Sequence, residues 1–232
     1  MFVIPCKYVE HCLIEESVKY VRLYHPTSKI LIVDSDSADK SYFKKLELYD
    51  VIIADVANQH YEIGALWYAV KNYVEDSYVL MQDSIIFNKS INNKIDDTKL
   101  FACFSHFFEP LLANFSHVPT EEWLSRINQM MGEFGSISGN QQIVGAFGTN
   151  FIIKRRLIDL MLAKNLHKTF LPMAKRDSWI SERISGIIPQ RCGVDVTASI
   201  AGEYHELKAV AYDSNTQRLH TEYFDKIFFG RQ

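Results

Sequence analysis

Ile30-Leu31-Ile32-Val33-Asp34-Ser35-Asp36-Ser37-Ala38-Asp39 reads as four apolar residues followed by a polar turn. A short apolar run that ends in turn residues suits a strand buried on both faces. The same unit recurs on either side. Upstream, Phe2-Val3-Ile4 is an apolar strand stopped by Pro5, and Val9, Cys12, Leu13, Tyr20, Val21 and Tyr24 fall at helical spacing before Pro26. Downstream, Lys40 to Leu48 reads as a helix and Val51-Ile52-Ile53-Ala54 as a third strand; Ile63, Leu66, Trp67, Val70, Tyr73 and Val74 mark one face of the next helix. Tyr78 to Phe87 is a fourth strand, interrupted by Gln82-Asp83-Ser84. Apolar strands alternating with helices predict an α/β fold, a single domain with a mostly parallel central sheet flanked by helices. Ligands of such sheets bind beyond the carboxyl ends of the strands. The residues after Ile4, after Val33 and within the fourth strand are therefore the first candidates.

The second half is less regular. Leu100 to Phe104 reads as a strand, Glu121 to Met131 as a helix capped by Thr120, and Gly132 to Gln142 as a loop. Gly145 to Ile153 is strand-like, Leu157 to Leu162 and Asp177 to Ile187 are helical, and the last forty residues carry only weak strand signals. No linker, repeat or low-complexity tract divides the chain, which predicts one domain over 1–232.

Composition narrows the function. The chain has 232 residues, 47% of them hydrophobic and 23% charged, with a net charge of −3. That balance is globular, and it lacks the clustered Lys and Arg that a nucleic-acid partner requires. Cys6, Cys12, Cys103 and Cys192 form no CxxC pair, so they are expected as reduced, mostly buried thiols rather than a zinc ribbon. No signal-like segment and no bilayer-length apolar run is present, so a cytoplasmic protein is expected, at most peripheral at a membrane.

Four stations resemble inverting glycosyltransferases of the GT-A fold. Ile4-Pro5 before a helix is similar to their first strand. Val33-Asp34-Ser35-Asp36-Ser37-Ala38-Asp39 resembles their second-strand turn at Asp34, Ser37 and Asp39, with Ser35 in place of a second Asp. Leu80-Met81-Gln82-Asp83-Ser84-Ile85-Ile86 lies where the metal-binding DxD motif of that family falls, with Gln82 and Ser84 replacing the outer carboxylates. Arg176-Asp177-Ser178-Trp179-Ile180-Ser181-Glu182-Arg183 resembles the Glu-Asp-x-x-Leu-x-x-Arg motif, whose Asp is the general base. Gly145-Ala146-Phe147-Gly148-Thr149-Asn150-Phe151 is similar to the glycine-bearing strand before that motif.

The resemblance implies a GT-A-like, Rossmann-like domain that transfers a sugar, with inversion, from a nucleoside diphosphate sugar to a hydroxyl of a glycan or glycoprotein. Residues 1–90 would form the nucleotide-binding part and 91–232 the acceptor and catalytic part. Pro5, Cys6, Lys7, Asp34, Asp36, Gln82, Asp83 and Ser84 would line the nucleotide site. Asp177 would be the base, with Glu182 as second candidate. Asp83 would hold a divalent cation, Mn2+ or Mg2+. Equally open are a metal-independent site that uses Lys or Arg, and an Asp83 that holds the sugar hydroxyls. Plainer roles are open as well. Asp34 and Ser37 suit a capped turn, Asp83 a strand end and Asp177 a helix cap, while His205 and His220 suit either late ligands for a metal or diphosphate or the plain surface. Trp179 and the Phe104–Phe108 stretch suit either stacking on an acceptor sugar or the core. The competing functional readings are a nucleotide- or glycan-binding module without catalysis, and a sugar nucleotidyltransferase. The Cys6-Lys7-Tyr8-Val9 turn is a poor match to the loop expected of the latter.

Overall fold

The structure is a computed structural model, and it describes residues 1–94, 101–102, 105–108, 120–137, 143–196 and 199–228. In chain order the elements are β1 (Phe2–Cys6), α1 (Ile14–Tyr24), β2 (Ile30–Asp34), α2 (Tyr42–Leu46), β3 (Ile52–Asp55), α3 (Tyr61–Asn72), β4 (Ser77–Leu80), β5 (Ile85–Phe87), β6 (Phe101–Ala102), β7 (Ser105–Phe108), α4 (Thr120–Met131), β8 (Ile143–Ala146), β9 (Phe151–Lys154), α5 (Arg155–Ala163), α6 (Leu166–Thr169), α7 (Lys175–Arg191), α8 (Tyr204–Ala211), β10 (Tyr212–Asp213), β11 (Arg218–His220) and β12 (Phe224–Ile227). Among the described residues, no helix is long and apolar enough to cross a membrane.

The central sheet has the order β3-β2-β1-β4-β9-β6. Its first four strands run parallel, and β9 and β6 add antiparallel at the edge. The fold is therefore α/β with a mostly parallel central sheet between helices, mixed at one side. The period of two along each strand divides the core. Val3, Leu31, Val33, Tyr78 and Leu80 face a layer that holds α3, α4, α5 and α7. Phe2, Ile4, Cys6, Ile30, Ile32 and Val79 face the layer of α1, α2 and a second sheet of order β10-β11-β12-β5. Residues 1–90 and 91–232 share these sheets, since β9 pairs with β4 and β12 with β5.

Several elements differ from the sequence expectation. β1 runs through Pro5 to Cys6 rather than stopping at Pro5. Val3 bonds toward β4, through the Met81 N–H to its carbonyl, and Cys6 bonds toward β2, through the Ser35 N–H. By alternation, Pro5 presents its N toward β4, and β4 pairs with β1 only at Phe2 and Val3. No ladder donor is lost there, so a central strand tolerates proline. The helix expected from Val9 begins only at Ile14, and Val9 is exposed. The fourth strand divides into β4 and β5, which belong to different sheets, and Gln82-Asp83-Ser84 lies at the junction. Gly145 to Ile153 likewise divides between β8 and β9, with a 3-10 turn at Phe147–Thr149 between them. The described part of the last forty residues holds a helix and three strands, and β12 is buried throughout. Cys103, Phe104 and residues 138–142 lie outside the described residues.

Candidate active site at the carboxyl edge of the sheet

β1, β2 and β4 deliver Cys6, Asp34 and the Gln82–Ser84 turn to one edge of the sheet. Asp34 is fully buried there. Its carboxylate accepts from the Ser37 N–H at 3.0 Å, Lys40 Nζ at 2.9 Å and Tyr42 Oη at 2.7 Å. Burial alone would raise its pKa, but the bonds from Ser37, Lys40 and Tyr42 outweigh that and hold it below the usual carboxylate range. Asp34 therefore shapes the turn from within. Lys40 also pairs with Asp55, and Tyr42 stacks on Tyr8 with centroids 4.7 Å apart. Asp36 is exposed, in the left-handed region at φ 62°, and Lys7 is exposed. Pro5 is half-buried, and Cys6 is buried against Cys12. Hydrogen bonding to Cys12 and burial both push the Cys6 thiol up and keep it protonated.

Gln82 is the hub of the edge. Its N–H donates to Asn150 Oδ1 at 2.7 Å, and its Nε2 donates to Glu62 Oε1 at 2.7 Å. Its Oε1 accepts from Lys226 Nζ at 2.5 Å. The same ammonium donates to Ser84 Oγ. Lys226 comes from β12, where it sits opposite Ile85, and it is 5% exposed. A cation thus stands between the two side chains that flank Asp83. Asp83 is buried, and its Oδ2 accepts from Cys12 Sγ at 3.1 Å.

This donor set does not suit Mn2+ or Mg2+. Such ions require several oxygen ligands, usually with carboxylates among them. Here the flanking oxygens of Gln82 and Ser84 are neutral and already accept from an ammonium, while the one carboxylate of the triplet is bonded to a thiol.

Glu182 reaches the same edge from α7. Its Oε1 accepts from the Gly148 N–H at 2.9 Å. Gly148 has φ 64°, and a Cβ there would lie 2.7 Å from Asn150 Nδ2 and 3.0 Å from Gln82 Oε1, so glycine is required. Burial pushes the Glu182 carboxyl up to about 7, and the Gly148 N–H and Arg183 oppose the rise without cancelling it. A carboxyl that titrates near neutrality fits proton transfer.

Asp177 is placed differently. It is buried at the third position of α7, where it accepts from the Met173 N–H at 2.8 Å and the Ala174 N–H at 3.3 Å. Arg126 of α4 holds both of its oxygens, at 3.1 and 2.7 Å. Burial works against ionisation, but Arg126 and the two N–H groups prevail and lower its pKa. The geometry is that of a helix cap and an interhelical ion pair. Trp179, also on α7, is partly exposed and lies parallel to Trp123 at 6.5 Å. His205 is exposed on α8, and His220 pairs with Asp225 at 3.3 Å.

The edge thus brings together Cys6, Gln82, Asp83, Ser84 and Glu182 of the expected residues and leaves Asp177 outside the group. Sequence reasoning missed Glu62 and Lys226, and it gave Asn150, within the Gly145–Phe151 motif, no role. Lys226 had one local signal, an Asp225-Lys226 pair within the apolar run Phe224–Phe228.

No protein-family profile matches the chain, and no curated protein matches it. Among solved structures it is similar to S. aureus TarS in complex with UDP, at 12% identity over 80% of this chain and 55% of that one, with a TM-score of 0.45. It is also similar to the mannosyltransferase PcManGT from Pyrobaculum calidifontis in complex with GDP-Man and Mn2+, at 12% identity over 69% and 45% with a TM-score of 0.42. A third is the glycosyltransferase GlyE of Streptococcus pneumoniae TIGR4, at 15% identity over 79% and 42% with a TM-score of 0.41. The chain spans about half the length of each of these solved chains, the first of which is itself residues 1–349 of TarS.

Proposed function

We propose that the chain is a glycosyltransferase domain that moves a sugar from a nucleoside diphosphate sugar to a hydroxyl of a glycan or glycoprotein, with inversion. The observation that carries the reading is the pairing, at one carboxyl edge, of a buried ammonium at the Gln82–Ser84 turn with the Glu182 carboxyl at the Gly148 N–H, which burial pushes up to about 7. One neutralises a diphosphate, and the other takes a proton. The order of the four motifs along the chain and the position of ligands in parallel sheets support sugar transfer, with Glu182 in place of the motif's Asp177 as base and Lys226 in place of a motif-held metal.

In the proposed reaction Glu182 accepts the proton of the acceptor hydroxyl. That oxygen attacks the anomeric carbon, the bond from that carbon to the diphosphate oxygen breaks, and its electron pair leaves with the diphosphate. Lys226 offsets the charge that develops, the part a divalent cation plays elsewhere. Gln82 and Ser84 orient Lys226, and Glu62 and Asn150 orient Gln82. Asp34 holds the shape of the nucleotide turn, and Asp177 fixes the start of the helix that carries Glu182.

The test is release of nucleoside diphosphate from a panel of UDP-, GDP-, dTDP- and ADP-sugars with mixed glycan acceptors. The reading expects release from at least one donor without added Mn2+, and loss of it in Glu182→Gln. Nucleotide binding without turnover in any donor and acceptor combination would favour a binding module instead.

A further inference from the structure

We propose that Cys6, Cys12 and Asp83 form a zinc site that ties the loop after β1 to the β4–β5 turn. Cys6 ends β1, Cys12 precedes α1, and Asp83 sits between the two sheets. The Sγ atoms are 3.6 Å apart, Cys12 Sγ is 3.1 Å from Asp83 Oδ2, and all three ligand atoms lie within 4.8 Å of one another. A tetrahedral zinc ion has Zn–S near 2.3 Å and Zn–O near 2.0–2.2 Å, which sets S···S at about 3.8 Å and S···O at about 3.5 Å. The Cys6–Cys12 and Cys12–Asp83 separations are therefore within about half an ångström of that geometry, and the Cys6–Asp83 separation, within 4.8 Å, needs to close by at most about 1.3 Å.

The chemistry of the donors selects the ion. Thiolates prefer zinc to Mn2+ or Mg2+, and three protein ligands leave a fourth position for water or an anionic oxygen. On binding, each thiol loses its proton to solvent, and the Asp83 oxygen that accepted from Cys12 becomes a ligand. Two thiolates and a carboxylate around a dication leave one net negative charge. The site goes beyond the transfer reading, because it engages Asp83 while Lys226 engages Gln82 and Ser84.

The test is titration of the reduced full chain with Co2+, without nucleotide, so its result is separate from that of the transfer reading. The proposal expects a thiolate-to-cobalt charge-transfer band with the intense visible bands of a tetrahedral ion. The signal should saturate at one equivalent and be displaced by Zn2+. Cys12→Ser should halve the charge-transfer intensity and weaken binding at least tenfold, whereas Cys192→Ser should change neither. Bound Zn2+ should also slow alkylation of the half-buried Cys12 in the unmutated chain, a readout that needs no variant to fold. Absence of the charge-transfer band, an unchanged spectrum in Cys12→Ser, or unchanged alkylation with Zn2+ would overturn the proposal.

Discussion

Replacing Lys226 with Met keeps the length and apolar stem of the side chain and removes the ammonium that bonds Gln82 and Ser84. Turnover should fall by about 10²-fold, the usual effect of losing one preorganised group at a developing charge, with the unfolding midpoint little changed. Glu182→Gln should lower turnover by about 10²–10⁴-fold. In the unmutated protein, kcat/KM should rise with pH through an apparent pKa of about 7, because the base acts when deprotonated. The sign for stability is the reverse. A carboxyl whose folded pKa is raised holds its proton more tightly than in the unfolded chain, so its ionisation costs stability as pH rises toward and past 7. Glu182→Gln should therefore unfold at a higher temperature than the parent at pH 8. Asp177 behaves oppositely: its folded pKa is lowered, so its stabilisation is present above the ordinary carboxylate range and lost as pH falls through the folded value. Asp177→Asn should cost about 2–4 kcal/mol at neutral pH and flatten the acid side of the stability curve, as read by denaturant unfolding. Gln82, Asp83 and Ser84 were legible because they break an apolar strand pattern, and Glu182 because it lies one helical turn from Ser178 in the fourth motif. Lys226 was not, because its partner Gln82 lies 144 residues away and only the pairing of β12 with β5 joins them.

Element boundaries failed where one run of sequence serves two sheets. Tyr78 to Phe87 has the composition of a single buried strand, and period alone does not reveal that the chain changes sheets at Gln82. Pro5 misled for the converse reason, since its cost depends on whether a neighbouring strand needs its N–H, and β4 has turned away by then. The early start assigned to α1 came from Val9 and Cys12, apolar residues of a loop rather than of a helical face. Helix α7 is held by close approach rather than by pattern. A Cβ on Gly186 would lie 1.6 Å from the Val144 carbonyl oxygen of β8, and that atom is backbone. Gly186→Ala should therefore force α7 off β8, at a cost of about 3 kcal/mol, and displace Glu182 from Gly148. A lowered unfolding temperature together with reduced turnover is the expected pair of results, and wild-type stability would contradict the packing described.

The sheet order β3-β2-β1-β4, with β1 central, explains why the informative residues converge although they are scattered from Cys6 to Lys226. Parallel strands deliver their carboxyl ends to one edge, and β9, α7 and β12 bring Asn150, Glu182 and Lys226 to the same edge from the second half. Alternation of strand and helix made the parallel half of this arrangement legible, while the antiparallel additions follow from long-range pairings that leave little local trace. The most direct test of the account is the thermal shift of the protein with UDP, GDP, dTDP, ADP and CMP, without added Mn2+ or Mg2+, compared with the Lys226→Met variant. A ligand that binds only the folded state raises its unfolding temperature. The account predicts a clear rise with a nucleoside diphosphate in the unmutated protein and its loss in Lys226→Met; no rise with any nucleotide in the folded protein, or an equal rise in the variant, would contradict it.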